Sequence, residues 1–366
     1  MAHWLLCVDD KIAGYGEGTP PNAETIIDAD GCDLLPGFID IHVHGGMGYD
    51  TMDATPEALH EMAQFYAKHG VTGFLATTWT DSRERVQAAL ENIAANMGRI
   101  PGGATLLGAH LEGPYLNPAK CGAQNTKYIR RADNEEAAAF LDTGVIKIVS
   151  LAPEYEESLW LIDECKERGI ITSAAHTNAT YEQMMHAVER GLRHTTHTFN
   201  AMSGFHHREP GVAGAAMSSR EIRCELICDN IHVHPAAMKT LLSTKRPHGV
   251  IIITDAVRVA GLPDGEYSLD ERKVIVKDGA VRLSNGSLAG STLTMDKALM
   301  NFIHAHPFST RLAVATPNAA FIPARALGLS NVGTIRTGYD ADLILMKDGE
   351  VRMTIIKGEI VHRKGI

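Results

Sequence analysis

No Cys-x-x-Cys pair occurs in this chain. Its six cysteines, Cys7, Cys32, Cys121, Cys165, Cys224 and Cys228, are scattered, so they read as reduced and mostly buried thiols rather than a disulfide framework. Cys224 and Cys228 stand four apart in an apolar run and read as core packing rather than metal ligands. No Lys/Arg run offsets the net charge of −10, set by 44 acidic against 34 basic residues, which argues against a nucleic-acid partner. The opening "MAHWLLCVDD" lacks the basic and long apolar regions of a signal peptide. No segment approaches the roughly 20 apolar residues of a membrane span, so a cytoplasmic protein without a membrane partner is expected. There is no internal repeat, no low-complexity tract and no G-x-G-x-x-G turn after an early strand. Histidine, by contrast, is abundant, with 18 residues, several beside Asp, Glu or one another.

Apolar and β-branched runs alternate with helical patterns along the 366 residues, a length that suits one large α/β domain with a smaller satellite. The strand candidates are residues 38–44, 71–78, 104–113, 145–153, 170–176, 194–200, 224–233 and 250–257. Eight strands alternating with helices predict a closed (β/α)8 barrel; an open doubly wound sheet is the competing arrangement. The ends read differently, with turn-rich residues 1–36 and alternating short strands from 327 to 366. A small β-sandwich built from both termini would suit them, leaving 37–326 as the barrel. "DERKVIVKDGAVRL" (270–283) is a hairpin signal, a possible excursion from the main domain.

In such a barrel the chemistry belongs to residues ending the strands at the C-terminal mouth. The first strand ends in His42 and His44, which alternation sends to one side. The third offers His110 and Glu112, the fifth His176, and the sixth His194 and His197 followed by Asn200. The seventh ends near His232 and His234, and the eighth reaches Asp255. These are nitrogen and oxygen ligands suited to Zn2+ or Fe2+, or acid/base groups. One histidine at a strand end is unremarkable; six of eight strands ending this way point to a metal centre.

At these residues the chain resembles the amidohydrolase superfamily, and within it the N-acetylglucosamine-6-phosphate deacetylases. The resemblance runs through "PGFIDIHVHG", "HLEGPYLNPAKCGAQ", "AAHTNATYEQ", "HTFNAMSGFHHREPG", "CDNIHVHP", "TDAVRVAG" and "LAGSTLTM". It implies Glu112, His176 and His197 as shared metal ligands, with His42 and His44 allowing a second divalent ion. It implies Asp255 as the catalytic carboxylate. Asn200, the backbone of Ala201, Arg208 and His232 would hold the 6-phosphate of the sugar, with Arg208 reaching the neighbouring subunit's site in a homodimer. Many relatives carry a histidine twelve residues beyond the glutamate of "LEGP", thought to polarise the acetamide carbonyl. Gln124 stands there in this chain; its amide donates hydrogen bonds but carries no charge.

The expected reaction is hydrolysis of N-acetylglucosamine 6-phosphate to glucosamine 6-phosphate and acetate, a step of amino-sugar catabolism. Gln124 leaves the galactosamine epimer open. A cyclic-amide hydrolase of the dihydroorotase type shares H-x-H, but "FNAM…REPG" and Glu112 speak against it. A non-catalytic scaffold on the same barrel would be expected to lose metal ligands or Asp255, and this chain keeps them together.

Overall fold

The computed structural model describes residues 3–29, 31–245, 248–270, 272–308 and 311–366. Eight parallel strands follow one another round a sheet: β1 (Phe38–Val43), β2 (Val71–Thr78), β3 (Thr105–Glu112), β4 (Ile146–Leu151), β5 (Ile171–Ala174), β6 (His194–Thr195), β7 (Arg223–Ile227) and β8 (Val250–Ile253). Seven lie within their sequence-predicted segments and β7 starts one residue early, at Arg223. A helix follows each of them: α1 (Pro56–Lys68), α2 (Arg83–Asn96), α3 (Asn134–Leu141), α4 (Glu156–Glu167), α5 (Tyr181–Arg190), α6 (Gly211–Ser218), α7 (Pro235–Thr244) and α8 (Met295–Ala305). β1, β2 and β8 are buried at every residue, the signature of a parallel sheet covered on both faces.

The helices begin and end where local chemistry dictates. Thr55 caps α1 (Pro56–Lys68), accepting from Ala58 N with Pro56 at the first turn. Thr180 and Gln183 form a reciprocal capping box at α5 (Tyr181–Arg190), and Gly191, at φ 141°, ends that helix. His234, one of the histidines read near the seventh strand end, instead caps α7 (Pro235–Thr244) through Ala236 N.

β8 meets β1 to close the barrel at the C-terminal mouth. Asp255 N donates to His42 O at 2.9 Å, and His44 N donates to Ala256 O at 2.8 Å. One turn deeper, Thr254 Oγ1 donates to the buried Asp40 carboxylate at 2.6 Å. The bonds that seal the cylinder thus set Asp255 directly beside His42 and His44.

Two additions flank the barrel. Strand Asp33–Pro36 pairs antiparallel with Leu343–Lys347, which continues through Glu350–Ile356 and Glu359–Arg363, so both ends of the chain share one sheet. An N-terminal hairpin, His3–Val8 with Lys11–Glu17, adjoins it where Ile12 N donates to Tyr339 O, and Ile12, Ala341 and Leu343 form a small apolar cluster there. Thr354 Oγ1 pins the shared sheet to α1 through Ala67 O. Between β8 and α8 (Met295–Ala305) the hairpin signal becomes a four-stranded antiparallel sheet spanning 265–291. Among the described residues no helix is long and apolar enough to cross a membrane.

Asp342, partly buried beside the shared sheet, accepts from Lys357 N, yet burial pushes its pKa up to about 6. A carboxyl raised in this way contributes its full stability below its unfolded pKa near 4 and loses it as pH rises through 6. Asp342→Asn should therefore melt above the wild type at pH 8, with the difference closing toward pH 4. A pH-independent difference in Tm would contradict this account.

Candidate metal centre

Five side chains converge on the carboxylate of Glu112, which lies at the end of β3 and is 2% exposed. Its Oε1 is 3.0 Å from His197 Nε2 and 3.3 Å from His176 Nε2. Its Oε2 is 3.2 Å from His44 Nε2 and accepts from Gln124 Nε2 at 2.7 Å. His42 Nε2 stands 3.8 Å from Oε1 and 3.5 Å from Asp255 Oδ1. Asp255 Oδ1 is also 3.4 Å from His44 Nε2. Two groups of potential ligands share Glu112: His42 and His44 on one side, His176 and His197 on the other.

The second nitrogen of two of these rings reveals what the site is built to hold. His176 Nδ1 donates to Lys120 O at 2.9 Å, so a neutral His176 presents a bare lone pair at Nε2. His42 Nδ1 lies 3.1 Å from the buried Glu225, which fixes the same tautomer. Those lone pairs point at carboxylate oxygens and at other imidazoles, with His42 Nε2 3.4 Å from His44 Nε2 and His176 Nε2 3.2 Å from His197 Nε2. Against the carboxylate oxygens, such contacts without a cation between them set electron pair against electron pair.

The electrostatics agree. Burial alone would push the Glu112 carboxyl up, but the surrounding histidines hold it well below the usual carboxylate range. Burial disfavours charge on His44, yet Asp255 and Glu112 outweigh it and raise its pKa to about 10. His197, likewise opposed by burial, is raised to about 8, chiefly by Glu112. Protons here answer a demand for positive charge that a divalent cation meets better, and an imidazole–carboxylate donor set suits one.

Backbone strain marks the same place. His176, His197 and Asp255 all adopt left-handed conformations, at φ 42°, 33° and 52°. For non-glycine residues each such position costs on the order of 1–3 kcal/mol, and these conformations cluster at functional sites.

A cavity of about 530 Å3 opens over the cluster, within the roughly 300–1,000 Å3 of small-molecule sites. His44, Glu112, His176, His197 and Asp255 form one part of its wall; Gln124, Asn200, Ala201 and His232 lie along it too. Asp229 fixes His232 through Nδ1 at 2.6 Å. The inserted sheet supplies Arg282 and Leu288. Arg208 is exposed, 2.8 Å from His207 Nε2, and is not part of this chain's own cavity wall. His110, a strand-end candidate, is committed elsewhere: Nδ1 donates to Ile41 O at 2.9 Å and Nε2 meets Ser150 Oγ at 2.7 Å. His194 is buried behind the cluster, near Glu225.

Three contributors escaped the sequence reading. Glu225 orients His42; its signal was a lone charge inside the apolar run "CELIC". Trp79 stacks on His44 with centroids 4.0 Å apart. Arg272 reaches from the inserted sheet over Trp79 and donates to Ala123 O, a link between segments 149 positions apart.

A (β/α)8 barrel with imidazoles and carboxylates converging at its C-terminal mouth defines a metal-dependent hydrolase. The chain matches the amidohydrolase family over residues 34–361. An N-acetylglucosamine-6-phosphate deacetylase of Bacillus subtilis (strain 168) is 42% identical over 339 residues, 89% of this chain and 84% of that one. An N-acetylgalactosamine-6-phosphate deacetylase of Escherichia coli O157:H7 is 36% identical over 362 residues, 98% of this chain and 94% of that one. The structure of a mutant N-acetyl-D-glucosamine-6-phosphate deacetylase from Mycobacterium smegmatis, in complex with N-acetyl-D-glucosamine-6-phosphate, superposes with a TM-score of 0.90 at 31% identity, covering 98% of this chain and 94% of that one. The chain belongs to the amidohydrolase family and, within it, to the N-acetylglucosamine-6-phosphate deacetylases.

Because Glu225 holds the His42 tautomer, Glu225→Gln should weaken divalent-ion affinity about 10–100-fold, the usual effect of losing a partner behind a ligand. Competition titration against a chelator reads this directly; unchanged affinity would show that His42 needs no such support.

Proposed function

We propose that this chain hydrolyses the acetamide of N-acetylglucosamine 6-phosphate to glucosamine 6-phosphate and acetate. One observation carries the reading: Asp255 stands over a histidine–glutamate cluster that opens into a cavity walled also by Asn200, Ala201 and His232. A divalent ion held by Glu112, His176 and His197, with a second at His42 and His44, would lower the pKa of water from about 16 to about 7. Zn2+ and Fe2+ both suit these ligands.

The chain's own residues do the rest. Asp255 accepts the proton of the attacking water while the water oxygen bonds to the acetamide carbon. It then delivers that proton to the sugar nitrogen as the C–N bond breaks, releasing acetate and the free amine. His42 and His44 hold its carboxyl below the usual range against the opposing pull of burial, which keeps it ready to accept. His232, oriented by Asp229, binds the 6-phosphate together with Asn200 and the Ala201 amide. Arg208 completes the clamp from a partner subunit, since its planar fork suits phosphate and it is no part of its own chain's cavity wall.

The test is acetate release from the 6-phosphates of N-acetylglucosamine and N-acetylgalactosamine and from unphosphorylated N-acetylglucosamine, before and after chelation and metal restoration. Chelator-sensitive turnover of the glucosamine phosphate is expected, with little on the free sugar. Preference for the galactosamine epimer would keep the mechanism and move the substrate; no turnover of any would overturn the reading. Asp255→Asn should lower kcat about 10²–10⁴-fold, the usual worth of a positioned acid/base group. Arg208→Ala subunits mixed with Asp255→Asn subunits should regain activity neither has alone, because one hybrid site then has both side chains intact. Failure of mixing, with hybrid dimers demonstrated, would place Arg208 within its own subunit's site.

A further inference from the structure

Gln124 stands where its amide would be expected to face the substrate, yet both ends of that amide are engaged by protein. Its Oε1 accepts from Thr80 N at 2.9 Å, just beyond β2, and its Nε2 donates to Glu112 Oε2 at 2.7 Å. A backbone N–H can only donate, so the Thr80 bond settles which end of the amide is oxygen and turns the NH2 toward Glu112. The side chain is 5% exposed, which leaves it little freedom to swing away. Glu112 is in turn divided: Oε1 addresses His176 and His197, with His42 farther off at 3.8 Å, whereas Oε2 addresses His44 and receives Gln124.

We propose that Gln124 is a positioning residue of the metal centre, locking the rotation of the Glu112 carboxylate so that Oε2 stays turned to the His44 side of the cluster and Oε1 to His176 and His197. This rests on the reading of Glu112 as a metal ligand and extends it to a residue whose type suggested a substrate contact. Neutrality is part of the device. A cationic side chain here would add a positive charge within 3 Å of Oε2 and compete with the ion for that oxygen, whereas an amide orients the carboxylate without supplying charge. The Thr80 bond matters equally, because it ties the orientation of Glu112 on β3 to the backbone after β2.

The discriminating experiment compares the wild type with Gln124→Met, which keeps length and removes both hydrogen bonds, and with Gln124→Asn, which keeps the amide but shortens its reach. Divalent-ion affinity is measured by chelator competition, KM at saturating metal by acetate release, and folding by the Tm of the metal-free proteins. Both variants should bind at least one ion about 10–100-fold more weakly, with KM at saturating metal within about two-fold of the wild type and little change in metal-free Tm. Unchanged ion affinity with a raised KM would overturn the proposal and return Gln124 to the substrate. Weakened affinity accompanied by a large fall in metal-free Tm would also overturn it, making Gln124 a general structural residue. A wild type that binds no divalent ion would defeat the deacetylase reading as well, so the two failures are distinguishable.

Discussion

A carboxylate with almost no access to solvent must find compensation for its charge, and Glu112 is the group on which the barrel mouth depends. Little of Glu112 faces solvent, so the compensation comes from four imidazoles delivered by the end of β1 and by the segments after β5 and β6, and from one amide delivered by the loop after β3. The imidazoles whose tautomers are held from behind, at Lys120 O and Glu225, cannot donate to Glu112 while neutral. The arrangement would be satisfied by a divalent cation placed among these groups, which would supply an activated water for amide hydrolysis at neutral pH.

Barrel closure and the proposed chemistry draw on the same bonds. The pairing of β8 with β1 runs through His42 O and Ala256 O, so Asp255 stays in register with His42 and His44 for as long as the cylinder is closed. Beneath them Asp40 and Thr254 tie the two strands together inside the core. The inserted sheet acts at longer range. Arg272 bridges it to Trp79 and to the Ala123 carbonyl, bracing the ring behind His44 and the loop that bears Gln124. The sheet shared by the two ends of the chain rests on α1, away from the chemistry, and holds a penalised carboxyl at Asp342 that the site does not use.

Much of this was legible in the residues. Strand ends bearing His42, His44, Glu112, His176, His197 and Asp255 could be read because parallel strands are buried on both faces, so a polar side chain at the end of an apolar run stands out. His234 and His110 carried the same mark and proved to be a helix cap and a core hydrogen-bonding residue. Proximity to a strand end does not say where a ring's two nitrogens find partners. Glu225 and Trp79 were not singled out because each acts only through another side chain, across separations that one strand's pattern does not encode.

The sequence by itself determined the alternation of strands and helices, the β character of the two ends of the chain and the stock of candidate ligands at the mouth. Each of these follows from local periodicity or residue type, which survive without knowledge of neighbours. Only the tertiary structure decided which donors share which oxygen of Glu112, and that the Gln124 amide is turned toward that carboxylate by Thr80 N. Those are relations between atoms brought together by barrel closure, and hydrogen-bond direction depends on the partner's chemistry as much as on the residue's own.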